Sequence, residues 1–128
     1  MTVDELENVS SEKWLEIFGE DALILFIQEN NKKRFLILKI IEECNELAVE
    51  LTKSLTKSEA NKPPMWKIRN EAIDIMFRLL TGAKYVGIEG DQGQQKIKER
   101  LDEKIIESVE TILEKKREEP VDENSFMT

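Results

Sequence analysis

The sequence predicts an all-α protein, a bundle of four to five helices, and three observations predict it. Apolar residues recur at helical spacing through most of the chain, and no segment shows the sustained alternation of a half-buried strand. Glycine and proline are scarce, five and three in 128 residues, so long stretches run free of breakers. The two clear loop compositions, TKSEANKPP (56–64) and GIEGDQG (87–93), fall between periodic segments.

Taken in order, residues 1–10 are polar and expected to be flexible. Ser11 can cap a first helical segment carrying Trp14, Leu15 and Phe18, and Gly19 breaks it. From Asp21 the chain becomes strongly apolar (ALILFI), pauses at Asn30-Asn31 and resumes through about Leu55. Pro63-Pro64 stops one helix and starts the next, which is expected over 65–86. A final helix is expected from about Gln94 to Glu118, with Ile97, Leu101, Ile105, Val109, Ile112 and Leu113 at helical spacing. Pro120 ends it, and 119–128 should be a flexible tail. The whole of 1–128 is expected to form one domain.

Composition narrows the function. The 27 acidic against 19 basic residues give a net charge of −8, which argues against a nucleic-acid polymer as partner, because such a partner needs a basic face. No apolar run is long enough to span a membrane, and the N-terminal stretch lacks the pattern of a signal peptide. The lone Cys44 fits a reducing compartment and reads as a small buried hydrophobe. A cytoplasmic protein is expected. Histidine is absent, which removes the usual general base and the usual zinc ligand together.

The stretch KIIEECNELAVELTK (39–53) then raises a question of charge. Glu43, Glu46 and Glu50 fall along one flank of an apolar stripe made by Ile37, Ile40, Ile41, Cys44, Leu47, Ala48, Leu51 and Leu55. Carboxylates at the edge of a core need compensation. In IRNEAIDIMFRLL the apolar residues cover more than half the helix, which predicts a mostly buried helix with a narrow polar strip of Lys67, Glu71, Asp74 and Arg78. Two neighbouring helices would offer Glu43/Glu46 and Glu71/Asp74 to a common point. Four carboxylates without histidine or thiolate make a hard oxygen site suited to Mg2+, with Mn2+ as a substitute. Spacing alone does not choose this pair: Asp4/Glu7, Glu99/Asp102, Glu107/Glu110 and Glu119/Asp122 share it. Ordinary i,i+4 salt bridges, Lys67/Glu71 and Asp74/Arg78, are the competing account.

Glu43-x-x-Glu46, with 24 residues between it and Glu71-x-x-Asp74, resembles the paired motif of the all-α NTP pyrophosphatases, the superfamily of MazG-like proteins, dimeric dUTPases and dCTP pyrophosphatases. EECNEL (42–47) resembles the first motif helix, NEAIDI (70–75) the second, and EKWLEIFGEDA (12–22) the segment before them. The resemblance implies hydrolysis of a nucleoside triphosphate to the monophosphate and pyrophosphate with Mg2+. It implies Glu43, Glu46, Glu71 and Asp74 as metal ligands and catalytic groups, with Glu46 a candidate base. Asn70 departs from the pattern, since many members carry a further acid there. Lys53, Lys98, Arg100 and Lys104 are available as phosphate contacts, and none matches the family's basic residues cleanly. The alternative is a non-catalytic helical interaction protein whose acidic strip only forms salt bridges. Apolar residues pointing several ways around the 20–57 region, with the family's habit, lead us to expect a homodimer or homotetramer.

Overall fold

The computed structural model describes residues 1–118, so the expected tail at 119–128 lies outside the described residues. All regular structure among these is helical: α1 (Val3–Glu7), α2 (Trp14–Phe18), α3 (Glu20–Glu29), α4 (Lys33–Thr56), α5 (Met65–Thr81), α6 (Ala83–Val86) and α7 (Gly90–Glu118), with 3-10 turns at Ser11–Lys13 and Glu59–Asn61. The all-α expectation holds. The chain divides into two units, Met1–Gly87 and the part from Ile88 onward, and none of the described helices is long and apolar enough to cross a membrane.

The first unit opens on an element that composition had suggested was flexible. Thr2 and Glu5 close a capping box: Thr2 Oγ1 accepts from the Glu5 amide at 3.1 Å, and Glu5 Oε1 accepts from the Thr2 amide at 3.2 Å. Two otherwise unpaired donors are satisfied at once, which stabilises a very short helix. The Trp14 indole donates to the carbonyls of Leu6 at 3.1 Å and Val9 at 2.9 Å, tying α1 to the start of α2. Gly19, at φ +87°, then turns the chain from α2 into α3, a backbone angle that side chains with a Cβ rarely adopt. At the Asn30-Asn31 pause, each amide side chain donates to a carbonyl one turn back, Phe26 at 2.8 Å and Ile27 at 2.9 Å. These bonds satisfy the last carbonyls of α3, which is why the apolar run breaks there.

α4, of 24 residues, is about 36 Å long and packs chiefly on α5. α3 also packs on α5, where Gln28 Nε2 donates to the Leu80 carbonyl at 3.1 Å. At the far end of α5 a Cβ on Gly82 would stand 2.9 Å from Ile40 Cδ1 and 3.1 Å from the Arg78 carbonyl, so glycine permits the close approach to α4. The helix expected over 65–86 is accordingly two, α5 and α6, broken at Gly82. The second unit, described by itself, carries α7, which starts four residues before the expected Gln94.

Two expectations about burial need correction. The α4 stripe is not a covered core: Ile41, Cys44, Ala48, Leu51 and Leu55 are exposed, while Leu36, on α4 but outside that stripe, is buried at 1% exposure. α5 is not mostly buried either, since Ile73, Met76 and Leu80 are exposed. The reason is geometric. Within one copy α4 packs chiefly on α5, and α5 on α4 and α3, so these seams leave part of each helix's wide apolar surface uncovered.

Candidate functional site

Glu43, Glu46 and Glu50 occupy positions i, i+3 and i+7 of α4, one face of the helix. Lys67, Glu71, Asp74 and Arg78 occupy i, i+4, i+7 and i+11 of α5, again one face. The two faces meet in antiparallel order, as the ion pairs show. Glu50 Oε1 lies 3.3 Å from Lys67 Nζ, and Glu43 Oε1 lies 3.9 Å from Arg78 Nε. The result is a ladder with a salt bridge near each end.

Its middle is different. One carboxylate oxygen from each of Glu43, Glu46 and Glu71 lies within 4.8 Å of the other two, and among the described residues only Glu43 of the three forms an ion pair, the long one to Arg78. Glu43 Oε2 and Glu71 Oε2 are buried and accept no hydrogen bond. A buried ionised oxygen without a donor is costly. Burial pushes the Glu43 carboxyl above its ordinary value, and the charge of Glu46, a hydrogen bond shared with it, and the charges of Asp74 and Glu71 push further. Glu71 is raised in the same way, by burial first, then by a hydrogen bond with Glu46 and the charges of Glu46, Asp74 and Glu50. Burial and the neighbouring negative charges both disfavour the ionised forms of Glu43 and Glu71, and a bound cation would relieve that cost.

An open cleft of about 430 Å3 runs along this face, lined by Asn45, Glu46, Val49, Glu50, Lys67 and Glu71. The chain matches no family model, no curated protein and no solved structure.

Asp74 is exposed and stands outside the three-oxygen group, although its charge reaches both Glu43 and Glu71. The intrahelical pairs Lys67/Glu71 and Asp74/Arg78 are replaced by the cross-helix pairs, so both basic residues serve α4 instead. Lys53 Nζ is 3.4 Å from Glu50 Oε1, at the Lys67 end of the ladder. Lys98, Arg100 and Lys104 lie on α7 in the second unit, each paired with an acid of its own helix: Asp102 at 3.4 Å, Glu103 at 2.7 Å and Glu107 at 3.7 Å. Trp66 is 57% exposed at the start of α5 and takes no part in the cleft lining.

The sequence placed Glu50 on the acidic ridge and Lys67 on the polar strip of α5, but did not name either as a site residue. Glu50 was visible as the third acid of the ridge, one turn beyond Glu46. Lys67 was hidden by a plausible partner on its own helix, Glu71. Burial pushes the Glu50 carboxyl upward, yet hydrogen bonds from Lys67 and Lys53 and their charges outweigh it and hold the group low.

Proposed function

We propose that the chain is a Mg2+-dependent nucleoside triphosphate pyrophosphohydrolase of the all-α type, converting a (deoxy)nucleoside triphosphate and water to the monophosphate and pyrophosphate. One observation carries the reading: the middle of the α4–α5 ladder sets acid against acid, with two buried carboxylate oxygens left without donors. A scaffold stabilised by salt bridges has no use for that arrangement, because matching each acid with a base would be the stable solution. This argues against the non-catalytic interaction protein. The resemblance of Glu43-x-x-Glu46 and Glu71-x-x-Asp74 to the paired pyrophosphatase motif points to the same chemistry.

The donor set fits a hard divalent cation, being all oxygen with no histidine in the chain. Glu43, Glu46 and Glu71 would hold it, with Asp74 completing or bracing the set. Mg2+ there would offset phosphate charge and lower the pKa of an attacking water, and Mn2+ could substitute. Glu46, the most exposed of the three and shared between Glu43 and Glu71, is our assignment for the group that takes the water's proton. The Glu43–Arg78 and Glu50–Lys67 pairs join α4 to α5 on either side of Glu46 and Glu71.

We also propose a homo-oligomer, a dimer or tetramer. Leu25, Phe35, Leu38, Ile41, Phe77 and Leu80 of α3–α5 are exposed in the single chain, and an apolar surface of this kind is stabilised by a second copy. The function is tested by incubating purified protein with each dNTP and Mg2+ while following pyrophosphate. Release that stops with chelator is expected. No release from any nucleoside triphosphate would leave the interaction protein as the better account.

A further inference from the structure

The Lys67 end of the ladder is built unlike its middle. The Glu50 side chain is 9% exposed, and its Oε1 accepts a hydrogen bond from the Lys53 ammonium at 3.4 Å and forms an ion pair with the Lys67 ammonium at 3.3 Å. Its other oxygen, Oε2, is buried without a donor. One carboxylate thus faces two cations, and one positive charge is left over beside an otherwise acidic cleft.

The two lysines are not equivalent. Lys67 lines the cleft together with Glu46, Glu50 and Glu71, whereas Lys53, one turn beyond Glu50 on α4, is not among its lining residues. Lys67 is also one turn before Glu71 on the same face of α5, so it stands beside the carboxylate cluster. Its side chain is 43% exposed, and an ammonium has three donors, which leaves donors open to a ligand.

We propose that Lys67 is the anion-binding residue of this cleft, taking a phosphate oxygen of the substrate and of the pyrophosphate product. This rests on the reading of the carboxylates as a metal-dependent phosphate site. The doubled lysine explains how such a contact can form cheaply. A single Lys67–Glu50 pair would have to be broken to admit a phosphate, leaving a buried carboxylate uncompensated. With Lys53 also on Glu50, Lys67 can turn to the ligand while Glu50 keeps a partner. An ammonium is a compact point charge well suited to phosphate oxygens.

The test compares wild type with Lys67→Gln, Lys67→Arg and the surface control Lys62→Gln, whose lysine pairs with Glu59 outside the cleft. Three quantities are read: KM and kcat for dNTP, calorimetric affinity for inorganic pyrophosphate with Mg2+, and the Mn2+-induced rise in melting temperature. Lys67→Gln should raise KM and weaken pyrophosphate binding by about tenfold or more, with kcat changed less and the Mn2+ shift retained. Lys67→Arg should recover most of the affinity, and Lys62→Gln should match wild type. If Lys67→Gln melts low because Glu50 loses a partner, Glu50→Gln/Lys67→Gln removes both charges and should show the same weakened binding. Unchanged KM and pyrophosphate affinity in either variant, with wild type active, would overturn the role of Lys67 alone. A wild type that neither turns over dNTP nor binds pyrophosphate with Mg2+ would overturn the site as a whole.

Discussion

Millimolar Mg2+ or Mn2+ should raise the melting temperature of the metal-free protein, and Glu46→Ala should erase the rise. The perturbation acts on three carboxylate oxygens within 4.8 Å of one another, two of the groups already displaced towards their protonated forms. An ion that binds only the folded state adds RT ln(1 + [L]/Kd), about 2.7 kcal/mol at a hundred times Kd and about half that at ten times. For a unit the size of Met1–Gly87, each kcal/mol moves the melting temperature by roughly 4–8 °C, so saturation should give a rise of about 10–20 °C. Differential scanning fluorimetry at fixed ionic strength and fixed protein concentration measures it, with Na+ in place of the divalent ion as reference. Holding ionic strength constant matters because screening a net charge of −8 also stabilises the fold. An equal shift in wild type and Glu46→Ala would mean general screening, and the three-carboxylate site would have to be abandoned.

Glu43→Gln or Asp74→Asn should abolish hydrolysis while leaving the metal-free fold as stable as before or more so, because one of several like charges is removed; a markedly lower melt in a protein without activity would favour the salt-bridge scaffold. Stability without metal should also depend on pH. Glu43 and Glu71 have raised folded-state values, so their contribution is fully present below the ordinary 4.5 and is lost as pH rises through those raised values. Glu50 works oppositely, its contribution present above 4.5 and lost as pH falls through its lowered value. Thermal melts in chelator should therefore rise as pH falls through the raised values of Glu43 and Glu71 towards 4.5 in wild type and flatten in Glu43→Gln/Glu71→Gln; a flat wild-type profile would contradict the clustering. Light scattering at micromolar concentration should give a dimer or tetramer, and a stable 14.9 kDa monomer with full activity would sink the oligomer.

Much of the local structure was legible in the residues themselves. Asn30-Asn31, Pro63-Pro64 and Gly19 are breaks for reasons that act within a few bonds, and the structure interrupts its helices there. α1 was equally legible in Thr2 and Glu5, whose three-residue spacing is a capping box, but overall polarity drew attention away from it. The split at Gly82 was not legible, because what distinguishes that glycine is Ile40, 42 positions earlier in the chain.

The site divides the same way. Periodicity determined that Glu43, Glu46 and Glu50 share a face of one helix, and that Lys67, Glu71, Asp74 and Arg78 share a face of another. Only the tertiary structure decided that these faces meet, that Glu71 joins the cluster while Asp74 stands outside its three oxygens, and that Lys67 and Arg78 serve α4. It also decided that Cys44 and much of the apolar stripe on α4 stay exposed in the single chain. The physical reason is that 3.6 residues per turn fixes each side chain's angle about its own helix axis. The rotation and register of one helix against another come from packing between residues far apart in sequence, and those two quantities set which charges touch.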